Sequence, residues 1–187
     1  MANLIYSAIA SLDGYTTDPA GSFDWAAPDE EVHSFINQRE RSIGTYLYGR
    51  RMYETMRYWE STAAGESDSA VEREYAGIWR AAQKVVYSRT LAGASTARTR
   101  IEPEFSADAV ATMVASAETD VAIGGPTLAA EALRSGVVNT LELYLVPIAV
   151  GGGTRALPAD LALDLELRTE TRFASGFVYV AYAVRGR

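Results

Sequence analysis

The sequence of 187 residues contains no cysteine, a single lysine and a single histidine. Without cysteine, the chain has no disulfide, no thiolate metal site and no cysteine nucleophile. Sixteen of the 17 basic residues are arginine and only Lys84 is lysine, which excludes most lysine-based chemistry. The lone histidine, His33, favours a structural role over a catalytic one.

Positive charge and long apolar runs are also scarce. The formal net charge is −7, the opposite of the basic surface that nucleic-acid-binding proteins usually present. No stretch approaches the roughly 20 apolar residues of a membrane helix. The N-terminus has neither the basic region nor the apolar run of a signal peptide. We therefore expect no nucleic-acid or membrane partner, no metal ion and a cytoplasmic location.

Strand and helix patterns alternate along most of the chain. Short apolar strands precede helix-forming segments, and an apolar stripe of Val32, Phe35, Ile36 and Ile43 predicts the first helix. Such alternation favours a mainly parallel sheet with helices on both faces. The last two strands are predicted to form an antiparallel hairpin. The length fits one domain over residues 1–187, with a small-polar loop at 61–69.

Residues 121–128 have the pattern of a strand, a glycine turn and the start of a helix. A short apolar strand is broken by Gly124 and Gly125, and Pro126, Thr127 and Leu128 then open a run of helix-forming residues. The start of a helix presents unpaired N–H groups and a partial positive charge, which suit a diphosphate. A tight turn without any ligand is an equally consistent interpretation.

Three further loops follow predicted strands at the same edge of the sheet. Segments 49–51 and 88–90 contain arginines, and the loop 11–25 is longer than an ordinary connection. Ligands of open α/β sheets bind at the carboxyl ends of the strands, so the pattern indicates a ligand with several phosphates. The aromatic residues Tyr15, Phe23 and Trp25 either anchor the long loop on the core or line a pocket.

Several motifs in order resemble those of one known superfamily. They are Ser11-Leu12-Asp13-Gly14, Tyr48-Gly49-Arg50, Gly124-Gly125-Pro126-Thr127-Leu128, and the run 141–158 with its Pro147 and triple glycine. Together they resemble the dihydrofolate reductase-like superfamily. The similarity is closer to the reductase domain of the bacterial riboflavin-biosynthesis deaminase/reductase and its stand-alone relatives. It covers essentially the whole chain.

The resemblance implies that NADPH binds across the carboxyl edge of the sheet. The glycine pair would face the diphosphate, and we expect its peptide bond to be cis. Segment 49–52 would lie along the diphosphate and the 2′-phosphate, and Asp13 would border the nicotinamide. The implied cofactor-binding residues are Asp13, Gly14, Gly49, Arg50, Arg51, Met52, Ser88, Arg89, Gly124, Gly125, Pro126, Thr127 and Leu128.

The same resemblance implies an acid on the first helix, four residues before a phenylalanine. Glu31 and Phe35 have that spacing, although Asp29 and Glu30 compete for the position. Trp25 and Phe35 are the implied substrate-binding residues. Ala82 stands where folate reductases place an arginine, so folate is not the expected substrate. The prediction is a reductase that transfers a hydride from NADPH to a small heterocyclic substrate (pterin, pyrimidine or flavin-like) or a carbonyl substrate.

Two other interpretations remain open. One is an NADPH-binding sensor or partner-binding module without turnover, and the other is a structural dimeric module without a ligand. Apolar residues on both faces of the C-terminal strands, such as Leu143 beside Tyr144, predict a homodimer. The loop 11–25 is predicted to be a mobile lid that orders on ligand binding.

Overall fold

The computed structural model describes residues 2–61 and 69–185, so most of the predicted loop 61–69 lies outside the described residues. The strands are β1 Leu4–Ser11, β2 Ile43–Gly49, β3 Gln83–Tyr87, β4 Thr99–Glu102, β5 Asp120–Gly124, β6 Thr140–Val146, β7 Asp164–Arg172 and β8 Val178–Arg185. The helices are α1 Glu30–Glu40, α2 Arg50–Met56, α3 Tyr58–Ser61, α4 Ala70–Ala81, α5 Ala107–Ser116 and α6 Pro126–Arg134.

All eight strands form one sheet in the order β4-β3-β2-β5-β1-β6-β8-β7. Strands β1 to β6 are parallel, and β8 is antiparallel to both β6 and β7. The predicted mixed sheet, mainly parallel with an antiparallel C-terminal hairpin, is confirmed.

Helices cover both faces of the sheet, as predicted. On one face α5 and α6 pack on a core that includes Leu4, Tyr6 and Leu141. On the other face, α2 and α4 pack on a core around Tyr48, and α1 packs against β6 and β8 around Tyr144. Every strand between the edges is therefore buried on at least one side.

Helix α1 is shorter than its apolar stripe predicts. It begins after Asp29, whose carboxylate accepts a hydrogen bond from the Val32 amide, and it ends at Glu40. Ile43 is the first residue of β2 and is buried there. The stripe misled because an apolar residue at helical spacing can equally be the first buried residue of the next strand.

Strand β1 runs past the end of β5 at the carboxyl edge. It pairs with β5 only over Leu4–Tyr6, but its register with β6 continues to Ser11, opposite Val146. Beyond Gly124, the described backbone of residues 7–11 therefore has no strand on its β5 side. Strand β5, which lies between β2 and β1, thus ends before β1 does and leaves a recess at the carboxyl edge of the sheet.

Candidate functional site

The ends of β2 and β3 are joined by the side chain of Arg50. Gly49 and Tyr87 are register partners, so the loops that follow them begin side by side. Arg50 donates from Nε to Glu54 Oε1 at 2.7 Å and from Nη1 to Thr90 Oγ1 at 2.9 Å. The arginine side chain is still 49% exposed, so its remaining N–H groups are available to an anion.

The loop after β3 is shaped by Ser88. Its hydroxyl oxygen accepts hydrogen bonds from the amides of Thr90 and Leu91 at 3.3 and 3.1 Å. Arg89 is 73% exposed and forms an ion pair with Glu104 at 2.5 Å. The structure thus places Ser88 as a loop-forming residue and Arg89 as an exposed cation at the same edge as Arg50. The neighbouring Arg51 is exposed on α2.

Neighbouring side chains leave too little room for a Cβ atom at either glycine at the end of β5. A Cβ on Gly124 would lie 2.7 Å from Cε1 of Tyr48, and one on Gly125 would lie 3.0 Å from Cβ of Met52. The prediction of a cis Gly124–Gly125 bond is wrong, since the described residues contain no cis peptide. The chain turns at this point because Gly125 adopts a φ of 90°, which a side chain would strain.

Helix α6 begins immediately after this turn. Gly125 is its N-cap and supplies no side-chain hydrogen bond, and Pro126 occupies the first turn. The amides of Thr127 and Leu128 therefore lie in a first turn that has no intrahelical acceptors. A helix start of this kind, with its partial positive charge, can receive a phosphate oxygen.

The carboxylate of Asp13 is hydrogen-bonded to a side chain and to backbone amides of the protein itself. It accepts hydrogen bonds from Ser11 Oγ at 2.6 Å, from the Gly151 amide at 2.7 Å and from the Val150 amide at 3.1 Å. These bonds, the one from Ser11 above all, lower the pKa of Asp13. Asp13 thus holds the residues after β6 against the end of β1, beside Gly14.

Two loops at this edge are bonded along their length, and we call residues 11–17 and 148–156 the loop pair. The Leu12 amide donates to the Ile148 carbonyl at 2.8 Å and the Thr16 amide to the Thr154 carbonyl at 2.7 Å. A Cβ on Gly153 would lie 1.9 Å from the Thr17 carbonyl oxygen. The long loop after β1 is therefore attached over its first half.

Glu31, the predicted proton donor, and the predicted substrate-binding residues Trp25 and Phe35 lie near the β7–β8 turn. Glu31 is exposed in the first turn of α1 and accepts a hydrogen bond from the Ala174 amide at 3.1 Å. Phe35 makes an edge-to-face contact with Tyr179, with ring centroids 4.9 Å apart. Trp25 packs on the same cluster, so it anchors the long loop, whereas Phe23 is 50% exposed.

The sheet order separates the predicted residues into two groups. Those following β3, β2 and β5 lie on one side of β1, and Trp25, Glu31 and Phe35 lie on the other side, over β6 and β8. Asp13 and Gly14 stand between the groups at the end of β1. The arrangement can hold an elongated anionic ligand whose one end reaches β1.

Sequence reasoning missed the partners of the arginines and a polar cluster under α1. The spacing of Arg50 and Glu54 was a readable signal, since residues four apart share a helix face. Glu142 gave no such signal, because strand alternation places a glutamate towards solvent. Instead it is 3% exposed and bonds Arg39 at 2.5 Å.

The described parts of the chain contain neither a metal-binding cluster nor a membrane-spanning helix. No group of three or more acidic or histidine side chains there is placed to hold a metal ion. Among the described helices, none has both the length and the apolarity to cross a bilayer.

A family model described as the RibD C-terminal domain matches residues 2–179. No curated protein matches the sequence. Among solved structures, the chain is similar to a protein of Shewanella sp. PV-4 named for riboflavin biosynthesis. The TM-score is 0.76 at 16% identity, over 98% of this chain and 99% of the other.

Two more solved structures share the fold. A pyrimidine reductase-like protein of Corynebacterium diphtheriae gives a TM-score of 0.67 at 14% identity, over 100% of this chain and 93% of that one. A diaminohydroxyphosphoribosylaminopyrimidine deaminase/5-amino-6-(5-phosphoribosylamino)uracil reductase of Thermotoga maritima gives 0.66 at 10% identity. The match covers 98% of this chain but 57% of the Thermotoga protein.

Proposed function

This chain belongs to the family of the RibD C-terminal domain, and on that basis we propose that it is an NADPH-dependent reductase. The proposed reaction is hydride transfer to a small heterocyclic substrate of the pterin, pyrimidine or flavin type, or to a carbonyl compound. One observation carries the proposal: Arg50, Arg89 and the uncapped start of α6 converge at one edge of the sheet. Guanidinium N–H groups and the unpaired amides of a helix start are the donors that suit a ligand with several phosphates.

The donor set at this edge fits the two phosphate-bearing parts of NADPH. Arg50 and Arg51 are proposed to hold the 2′-phosphate, where forked guanidinium contacts match phosphate oxygens. The amides of Thr127 and Leu128 are proposed to receive the diphosphate at the start of α6. When bound, NADPH supplies the hydride, and the protein supplies binding and orientation.

The substrate is proposed to lie on the other side of β1. The loop pair, with Asp13 and Gly14, is proposed to border the point where the nicotinamide and the substrate meet. Trp25 and Phe35 provide apolar contact area, and Glu31 is the proposed proton donor. To act, Glu31 must exchange its hydrogen bond with the Ala174 amide for one with the substrate.

A second candidate function is an NADPH-binding module without turnover. The observation in its favour is that the carboxylates of Asp13 and Glu31 are both engaged by backbone amides. A protein of this kind would bind the cofactor at the same residues and leave it unchanged.

One experiment separates these functions. NADPH oxidation is followed against a panel of pterins, pyrimidines, flavins and quinones, and the melting temperature is measured with NADPH alone. Cofactor at about 100 times its dissociation constant adds roughly 2.7 kcal/mol to the free energy of unfolding, which is a visible shift. Substrate-dependent oxidation supports the reductase, and a melting shift without oxidation supports the second candidate. No melting shift overturns both.

We further propose that the protein is a homodimer. The proposal is supported by the sheet face of β6, β8 and β7 opposite α1, where Leu143, Leu165, Tyr182 and Val184 are only partly buried. Leu167 on β7 is 49% exposed. A second copy would cover this apolar area. A monomeric mass by light scattering at micromolar concentration would overturn the proposal.

A further inference from the structure

We infer that Thr90 is a positioning residue that orients Arg50 and thereby sets the preference for NADPH over NADH. This inference rests on the proposed function. In this inference Thr90 does not contact the phosphate and acts only through the Arg50 guanidinium. The two cofactors differ by one phosphate, so a residue that fixes the group holding this phosphate changes their ratio of affinities.

The geometry begins with two anchors on one guanidinium. Glu54 accepts from Nε at 2.7 Å and Thr90 accepts from Nη1 at 2.9 Å. The anchors come from different elements, Glu54 from α2 and Thr90 from the loop after β3. With both formed, the plane of the guanidinium is fixed, and the protons of Nη2 and the second proton of Nη1 remain for an anion.

Thr90 is itself held in place by its own loop. Its amide donates to Ser88 Oγ at 3.3 Å, and the Leu91 amide donates to the same oxygen at 3.1 Å. The hydroxyl that meets Arg50 is therefore presented from a closed turn. Arg89, by contrast, is 73% exposed and its partner Glu104 is 66% exposed, so its guanidinium has a weaker support.

An oriented guanidinium binds an anion with a smaller entropy loss than a mobile one. Immobilising such a side chain costs about 0.5–1.5 kcal/mol, which corresponds to roughly a 2- to 12-fold change in affinity. We therefore expect Thr90→Val, which keeps the shape and removes the acceptor, to weaken NADPH by that factor. NADH, which lacks the phosphate, should bind as before. Thr90→Ser keeps the hydroxyl and should retain wild-type affinity.

The test is a double-mutant cycle on dissociation constants for both cofactors. The proteins are wild type, Thr90→Val, Thr90→Ser, Arg50→Ala and Arg50→Ala/Thr90→Val. Thr112→Val, an exposed threonine on α5 that bonds only within its helix, is the matched control. If Thr90 acts through Arg50, the valine substitution weakens NADPH in the wild-type background and has no further effect in Arg50→Ala.

Each other outcome has a definite meaning. Equal weakening in both backgrounds assigns Thr90 a direct contact with the cofactor and overturns the positioning role. Unchanged NADPH affinity in Thr90→Val overturns the inference and leaves the proposed function intact. If wild type does not bind NADPH at all, the proposed function fails and the inference fails with it.

Discussion

The Tyr46 hydroxyl donates a hydrogen bond to the Glu40 carboxylate at 2.7 Å, under the C-terminal end of α1. Burial raises the pKa of Glu40 to about 7, and the nearby Glu142 adds to the rise while the Tyr46 bond opposes it. The acid is thus mostly protonated in the folded protein below neutrality. Glu40 lies away from the carboxyl edge of the sheet, so we expect its protonation to affect stability and not ligand binding.

The Glu40 pKa predicts a pH dependence of the free energy of unfolding. Between about pH 4.5 and 7 the folded state keeps a proton that the unfolded state releases. Stability from this group is therefore complete below pH 4.5 and falls as the pH rises through 7, by roughly 1–3 kcal/mol. Urea unfolding at pH 5 and pH 8 should show a smaller fall for Glu40→Gln than for wild type. Glu118→Gln, on the exposed surface, should behave as wild type; equal slopes for all three would contradict the prediction.

The Arg39–Glu142 pair predicts a large cost when one partner is removed. Glu142 is 4% exposed in its side chain and Arg39 45%, so Arg39→Ala leaves a buried carboxylate without its cation. We expect a loss of about 2–4 kcal/mol in urea unfolding, slightly reduced because the arginine is partly solvated. The double variant Arg39→Met/Glu142→Met should recover most of that loss. A double variant as unstable as the single one would show that the ion pair is not the cause.

Alanine substitutions at Gly125 and Gly14 separate the cost of a strained backbone from the cost of steric contact with neighbouring side chains. Both have a φ near 90°, but a Cβ on Gly14 meets nothing within 4 Å and one on Gly125 meets Met52 at 3.0 Å. Gly14→Ala should cost about 1 kcal/mol from conformation alone. Gly125→Ala should cost more, because Met52 must also move. Thermal unfolding that ranks the two substitutions the other way would refute this account of the β5–α6 turn.

Cofactor preference tests the arginines directly. Hydrogen bonds to charged groups contribute about 1.5–3 kcal/mol. Arg50→Ala should therefore weaken NADPH by roughly 10- to 150-fold and leave NADH nearly unchanged. Arg89→Ala should have a smaller effect, because this side chain is the more exposed of the two. Dissociation constants for both cofactors decide the matter: equal losses for NADPH and NADH would remove the 2′-phosphate from this location.

We expect the lid predicted at residues 11–25 to move together with residues 148–156, the other half of the loop pair. Hydrogen bonds such as Thr16 to Thr154 tie residues 11–17 to 148–156, so ordering of one segment entails ordering of the other. Hydrogen exchange with and without NADPH and substrate should show protection gained in both segments together. Protection gained in residues 11–17 alone, or in neither, would count against a joint closure.

The sequence predicted the sheet and the ends of its strands because those features are local. A glycine pair after an apolar run, or an arginine after a strand, is visible within ten residues, and parallel topology then gathers these ends at one edge. The partners of the same residues were not predictable. Gly151 lies far along the chain from Asp13, and no pattern at either position indicates their hydrogen bond.

The two errors also have physical causes. Ile43 fits the helical spacing of α1 and the first position of β2 equally well, and only tertiary packing decides between them. A glycine pair can turn the chain through a cis bond or through a positive φ, and Gly125 uses the latter. For Glu142, alternation gave the correct strand but not the ion pair that makes its inward position tolerable.

The central position of β1 has a consequence for how the chain folds. Its two neighbours, β5 and β6, come from residues 120–124 and 140–146, so β1 is translated well before either of its partners and stays unpaired until they are made. Closing such long loops is slow, and contacts of high sequence separation lower folding rates. Strands β2, β3 and β4 can pair earlier, while the apolar β1 stays exposed to other chains. We therefore expect nascent chains released before residue 146 to aggregate and to depend on chaperones.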